Sequence, residues 1–224
     1  MEDKKSVRSE WQVKLAANQS IPQWGRAAEK LRRLESYRKA KTVFATPHGS
    51  LHQARINCII DGKNLLMPGP GLREGFFLLA ARSIAFKDVP AAVTYRGLAK
   101  YGHLLKVKSL EQFSVELLLT GALALDQMGG RIGDGQGYFD LCCALLQETA
   151  CLGDGAYFMA FINDGQISPE TLPQDKWDIK MSGAITPSRL LLFEPSGQQP
   201  QIYWDMLPRD RIKRIDPLWK LSGR

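Results

Sequence analysis

The stretch Gly129-Gly130-Arg131-Ile132-Gly133-Asp134-Gly135-Gln136-Gly137-Tyr138-Phe139-Asp140 carries the residues best suited to chemistry. Glycines at 130, 133, 135 and 137 remove Cβ, so that successive peptide N–H groups can close on an anion. A helix starting after Gly137 would add unpaired amides and the positive end of its dipole. Arg131 supplies a cation for phosphate oxygens, and Asp140 a carboxylate of the kind that holds Mg²⁺. Together these are parts for phosphoryl chemistry, although a plain surface turn would have the same composition. The spacing is neither GxxxxGK[ST] nor GxGxxG. A GxSxG elbow and a kinase signature set are both missing, which sets aside those hydrolases and kinases. His48 and His52 are four apart but lack the glutamate of HExxH, so a metal there is not favoured. Cys58, Cys142, Cys143 and Cys151 form no CxxC pair and read as small buried apolar residues in a reducing compartment.

A loop of this type has to be presented by a strand and a helix. The apolar run Val115 to Leu125 is expected to lead in as a strand, and Tyr138 to Thr149 to lead out as a helix. Further strands are expected at 42–45, 65–67, 76–80, 104–107, 156–162, 183–186 and 190–193. Helices are expected at 4–17, 23–38, 50–60 and 90–101, with Ser20 as a cap and Ile21-Pro22 as a break. Strands alternating with helices imply an α/β fold, a mostly parallel sheet flanked by helices. Pro68-Gly69-Pro70-Gly71, directly after a strand, sits where open α/β sheets place their sites. Lys4 and Arg8 share one face of a basic amphipathic first helix, which matters if a phosphate lies nearby. The basic faces of 23–38 read as solvated in preference to nucleic-acid binding. Residues 195–224 read as an irregular basic tail packed on a domain of residues 1–194. Its aromatics among arginines and lysines leave single-stranded nucleic acid as a less favoured partner.

With 224 residues, 44% hydrophobic and 24% charged, the chain suits one large domain with a sizeable core. No apolar run approaches the roughly 20 residues of a membrane span, and residues 1–12 are charged with no apolar segment behind them. A cytoplasmic protein is expected. A net charge of +7 favours anionic partners such as nucleotides, polyglutamate tails or nucleic acid.

Glu116 to Leu141, ELLLTGALALDQMGGRIGDGQGYFDL, resembles the signature region of the 5-formyltetrahydrofolate cyclo-ligases, with matches at Gly121, Arg131, Gly133, Gly135, Gly137, Tyr138 and Asp140. Lys4 with Arg8, Gly62-Lys63 with Leu66-Met67-Pro68, Trp177-Asp178 and Thr186-Pro187 extend the likeness over most of the chain. Ile21-Pro22, Arg55 and Pro68-Gly69-Pro70 look more like the divergent methenyltetrahydrofolate synthetase domain-containing branch. The resemblance implies a sheet of the ribose-isomerase and CoA-transferase type, a reduced folate substrate, ATP and Mg²⁺, and a monomer or homodimer. In the implied reaction the formyl oxygen of 5-formyltetrahydrofolate attacks the γ-phosphate. Closure onto N10 then gives 5,10-methenyltetrahydrofolate, ADP and phosphate. By the same resemblance Arg131, Tyr138 and Asp140 are catalytic. Lys4, Arg8, Arg131, Gly133, Asp134, Gly135, Gln136, Gly137 and Tyr138 hold the nucleotide. His48, Arg55 and Trp177 face the folate, and Asp140 and Asp178 are the metal candidates, Asp140 alternatively ordering the loop. Two positions depart from the pattern: Asp134 replaces a basic loop residue, and His48-Gly49-Ser50-Leu51 replaces a Glu-xx-Thr segment. Because of them, a catalytically silent nucleotide- or folate-binding homologue is the alternative.

Overall fold

The computed structural model describes residues 3–17, 23–194 and 196–223. The cap at Ser20 and the break at Ile21-Pro22 lie outside the described residues. The strands are β1 (Thr42–Ala45), β2 (Asn64–Pro68), β3 (Phe76–Leu79), β4 (His103–Leu105), β5 (Val115–Gly121), β6 (Ala124–Leu125), β7 (Arg131–Ile132), β8 (Leu152–Phe161), β9 (Gly183–Ile185) and β10 (Leu190–Leu192). Eight of them form one sheet in the order β10-β9-β8-β5-β1-β2-β3-β4. The central strands β9, β8, β5, β1 and β2 run parallel, while β3, β4 and β10 are antiparallel additions at the edges.

Central parallel strands are covered on both faces, so their residues are apolar without alternation. Side chains still project alternately. Val43, Ala45, Leu65, Met67, Leu117 and Leu119 enter one core, and Phe44, Leu66 and Leu118 the other. The first core is roofed by α2 (Trp24–Arg33), α4 (His52–Ile60), α5 (Val89–Ala92) and α6 (Tyr95–Tyr101), with α3 (Glu35–Lys39) beside them. The second is roofed by α7 (Tyr138–Glu148). The amphipathic α1 (Lys4–Ala17) seats Val7 and Trp11 on Ala124, Ile132 and Leu172. All four cysteines are buried and free. Among the described residues no helix is long and apolar enough to cross a membrane.

Several expected boundaries shift for local reasons. The helix expected at 23–38 divides at Leu34, whose ψ of 137° is extended. The helix expected at 90–101 divides because the Thr94 hydroxyl accepts the Gly97 N–H at 3.1 Å and caps a new helix. The strand expected at 104–107 gives way after Leu105 to a 3₁₀ turn. The run Val115 to Leu125 is not one strand: β5 ends at Gly121, and β6 pairs back with β7 as a hairpin. The Asp126 carboxylate accepts the N–H groups of Met128 and Gly130, both at 2.8 Å, and so closes that hairpin. Gly129-Gly130 therefore belongs to a turn, and only Gly133 to Gly137 forms the loop before α7. The tail is not irregular throughout. It contains α8 (Arg209–Arg214) and α9 (Asp216–Leu221), which sink Ile212, Ile215 and Leu218 into the second core.

The connections leave β1 first for β2 on one side and later for β5 on the other. The order reverses between β1 and β5, and beyond the carboxyl ends of such strands a crevice opens.

Candidate active site

A cavity of about 620 Å³ occupies that crevice. Its floor comes from the ends of β1 (Thr46, Pro47, His48), β2 (Pro68, Gly69) and β5 (Thr120, Gly121). One wall is the loop Gly133 to Gly137 with the start of α7, and the rest comes from Arg8, Asp175, Trp177, Asp178 and the tail. Among the sequence candidates, the structure brings Arg8, Arg131, Gly133 to Tyr138, Asp140, His48, Trp177 and Asp178 to this one cavity. It does not bring Arg55 there.

The loop is built for close approach. Gly135 has φ = +90°, and a Cβ there would lie 3.0 Å from the Arg8 guanidinium. Arg8 Nε donates to the Gly133 carbonyl at 3.1 Å, which ties α1 to the loop. Gly137 is the residue preceding α7, so the first amides of an eleven-residue helix face the cavity wall. Asp134 turns its own carboxylate back onto the Gln136 N–H at 2.9 Å and stays solvent-exposed.

Arg131 and Asp140 form a buried pair, each side chain 8% exposed. Arg131 Nη2 donates to both Asp140 oxygens, at 3.0 and 2.8 Å, and the Ile179 N–H donates to Oδ1 at 3.0 Å. The guanidinium lies 5.0 Å over the Phe139 ring, and its Nε has no partner among the described residues. Asp140 thus anchors Arg131 and the 179 segment. Lys4 does not reach the loop; it pairs with Asp178 and, at 3.1 Å, with Asp175. Burial pushes the Asp178 carboxyl above its ordinary range, and the hydrogen bonds from Lys4 and the Asp175 amide oppose that rise.

On the opposite side, His48 stands against bare backbone. A Cβ on Gly121 would fall 2.5 Å from His48 Nδ1, so only glycine lets the ring lie there. The Ser50 N–H donates to Nδ1 at 3.3 Å and Ser50 Oγ lies 2.8 Å from it, so Nδ1 is the acceptor and the neutral ring carries its proton on Nε2. Desolvation lowers the His48 pKa from 6.5; the Arg55 charge lowers it further, and the Asp134 carboxylate raises it. In an NMR titration the His48 midpoint should therefore fall below about 6.5, and Asp134→Asn should move it lower still. A midpoint insensitive to that substitution would place the carboxylate elsewhere. His52 does not join His48; its Nε2 meets the Pro90 carbonyl at 3.1 Å.

Arg55 corrects an expectation. It is buried under the floor and donates to the carbonyls of Val93 (2.9 Å), Thr46 (2.7 Å) and His48 (2.9 Å). Every donor in use holds backbone, so Arg55 positions His48 and touches no ligand space. Trp177 is on the wall, edge-on to Tyr203 with ring centroids 6.3 Å apart. Sequence reasoning missed Tyr95, Tyr203, Met206 and Arg211 as wall residues. The only signal for the last three was the mixture of aromatic and basic residues in the tail.

The family model described as "5-formyltetrahydrofolate cyclo-ligase family" matches residues 1–187. The chain belongs to that family. Among curated relatives, the methenyltetrahydrofolate synthase domain-containing protein of Bos taurus is 31% identical over 201 residues, covering 88% of this chain and 52% of the relative. Its Homo sapiens counterpart is 26% identical over 203 residues, with the same coverages of 88% and 52%. The chain spans about half the length of these relatives. Two solved 5,10-methenyltetrahydrofolate synthetases share the fold. The Aquifex aeolicus structure has a TM-score of 0.57 at 17% identity, covering 91% of this chain and 99% of that one. The Mycoplasma pneumoniae structure has a TM-score of 0.54 at 14% identity, covering 83% and 99%.

A family that uses a metal invites a test of the donor set. Among the described residues, no group of three or more His, Cys, Asp or Glu is placed to hold a metal. Asp140 and Asp178 both face the cavity, each already partnered by a cation. Magnesium is commonly held by one or two carboxylates together with phosphate oxygens and water. The residues present fit that sharing, and do not form a closed protein cage.

Proposed function

We propose that this chain is an ATP- and Mg²⁺-dependent cyclo-ligase that converts 5-formyltetrahydrofolate to 5,10-methenyltetrahydrofolate. The observation that carries the reading is that one cavity, beyond the reversal in strand order, joins the glycine loop with Arg8 beside it to His48 on its floor and Trp177 on its wall. The loop amides and Arg8 would bind the polyphosphate, and Arg131, anchored on Asp140, would keep the loop's entry fixed. Trp177, Tyr95 and Tyr138 offer flat surface for a fused ring, and His48 Nε2–H would donate to a ring or carbonyl acceptor. Held in one orientation, the formyl oxygen takes the γ-phosphoryl group as ADP leaves; N10 closes on the activated carbon and phosphate departs. Amides and cations aimed at the developing phosphoryl charge are the source of rate. Asp178 and Asp140 would hold magnesium, which would supply charge neutralisation there. Purified protein given ATP, Mg²⁺ and 5-formyltetrahydrofolate should develop methenylfolate absorbance. A flat trace beside an active homologue would end the reading.

A second reading, a binding protein without turnover, is favoured by Asp134, whose carboxylate lines the phosphate side of the cavity. A carboxylate about 4 Å from a phosphate oxygen costs roughly 1 kcal/mol in water and more as the local dielectric falls. Asp134→Lys should therefore tighten ATP binding by about tenfold in calorimetric titration. Unchanged affinity would mean that the loop does not cradle phosphate. Binding of ATP by the wild type without any product would select the second reading.

A further inference from the structure

The residues matched by the family model stop at 187, yet the cavity does not. Gln201, Tyr203, Met206, Leu207 and Arg211 complete its wall from the tail. The tail is held there firmly. Ile212, Ile215 and Leu218 are buried in the second core, and the Asp216 N–H donates to the Arg73 carbonyl at 2.8 Å. Pro217 fills the space beside Gly75, where a Cβ would come within 2.8 Å of it. From this base Arg211 reaches over the loop. Its Nη2 donates to the Gln136 carbonyl at 2.6 Å, and its guanidinium lies 5.1 Å over the Tyr138 ring.

The charges on the wall give that placement a purpose. Arg131 is committed to Asp140, and Lys4 to Asp178 and Asp175. Asp134 remains in the loop without an ion-pair partner among the described residues. Among the described residues, the cations left on the cavity wall to meet an anion are Arg8 and Arg211, one at each end of the loop, on the carbonyls of Gly133 and Gln136. A guanidinium has five N–H donors, and the loop carbonyl occupies one nitrogen of Arg211. The contact with the Tyr138 ring restrains the guanidinium, whose fork suits bidentate contact with phosphate oxygens.

We propose that Arg211 is a polyphosphate-binding residue of this cavity, supplied by a tail that lies outside the family-matched residues, and that it offsets the carboxylate of Asp134. This deepens the nucleotide-binding reading above and rests on it. The test is calorimetric titration of the full chain, at two salt concentrations, with ATP and with inorganic tripolyphosphate. Wild type is compared with Arg211→Gln, Arg211→Lys and the double variant Arg211→Gln with Asp134→Asn. Loss of one charge-assisted contact should weaken ATP by roughly 10- to 100-fold in Arg211→Gln and reduce the salt dependence. Arg211→Lys should fall between, since it keeps the charge but not the fork. Asp134→Asn, made alone as well, should gain more ATP affinity in the Arg211→Gln background than in wild type, a coupling that a merely structural role for Arg211 would not produce. If wild type binds ATP and both single Arg211 variants bind it within twofold, Arg211 is not a ligand residue, and the nucleotide reading stands without it. If wild type ignores ATP but binds tripolyphosphate in an Arg211-dependent way, Arg211 stands and the nucleotide reading falls. If neither probe binds, both fall. Should Arg211→Gln fail to fold, Arg211→Lys and its salt dependence decide alone.

Discussion

Asp140→Asn should destabilise the protein by about 3–5 kcal/mol, a fifth or more of the stability of an ordinary domain. The reason is the state in which it leaves Arg131. That guanidinium is 8% exposed, its Nε already lacks a partner among the described residues, and Nη2 directs its hydrogen bonds at the Asp140 oxygens. Asparagine is nearly the same shape but removes the compensating charge and turns an amide toward a donor. A buried charge without its counter-charge costs far more than the pair contributed. In urea the unfolding midpoint should fall with little change in slope. Removing both partners, as in Arg131→Met with Asp140→Leu, should cost less than Asp140→Asn alone, because no charge is then stranded. A loss below about 1 kcal/mol in Asp140→Asn would mean that the guanidinium finds water, and that the anchor assigned to Asp140 is dispensable.

Gly97→Ala sets two effects against each other. In a helix interior alanine is favoured over glycine by about 0.8–1.0 kcal/mol, so propensity alone predicts a more stable protein. Packing predicts the opposite. A Cβ at 97 would fall on the carbonyl oxygen of Ala91 and 2.5 Å from that of Ala92, and neither is a side chain that can swing aside. To relieve the overlap α6 must move off α5, and overpacking of this kind costs about 1–3 kcal/mol, sometimes more. Packing wins: after the propensity gain is subtracted, the expected result is a melting temperature lower by up to about 9 °C. The damage should also reach the cavity. The Val93 carbonyl, between α5 and α6, holds Arg55, and Arg55 holds the carbonyls of Thr46 and His48. Ligand affinity should drop with stability. A rise in melting temperature would show that the two helices separate at no cost.

Much of the sheet could be read from the chain because central strands are buried on both faces. Val43 to Ala45, Leu65 to Met67 and Leu117 to Leu119 are apolar without interruption, and each is a strand. The glycine loop was legible for a different reason: closely spaced glycines directly ahead of an apolar run mark a turn that opens into a helix. Pairings across space were not legible. Nothing in the spacing of Arg131 and Asp140 indicates that the carboxylate holds the guanidinium, because nine residues match no helical or strand period. The family resemblance alone places Arg55 on the folate; the structure has it holding the backbone carbonyls of Val93, Thr46 and His48 under the floor. The tail helices, six residues each, are too short for periodicity to register. The part that completes the cavity was therefore the part with the weakest signal.

The loop is gripped from two directions by residues remote from it in the chain: Arg8 reaches Gly133 across 125 positions, and Arg211 reaches Gln136 across 75. Such closures carry an entropic cost that local turns do not, and they form only once the intervening chain has collapsed. The hairpin of β6 and β7 can form early from neighbouring residues. The segment that follows it acquires its final shape only when both distant arms have docked, so during refolding, recovery of ligand capture should lag behind recovery of secondary structure.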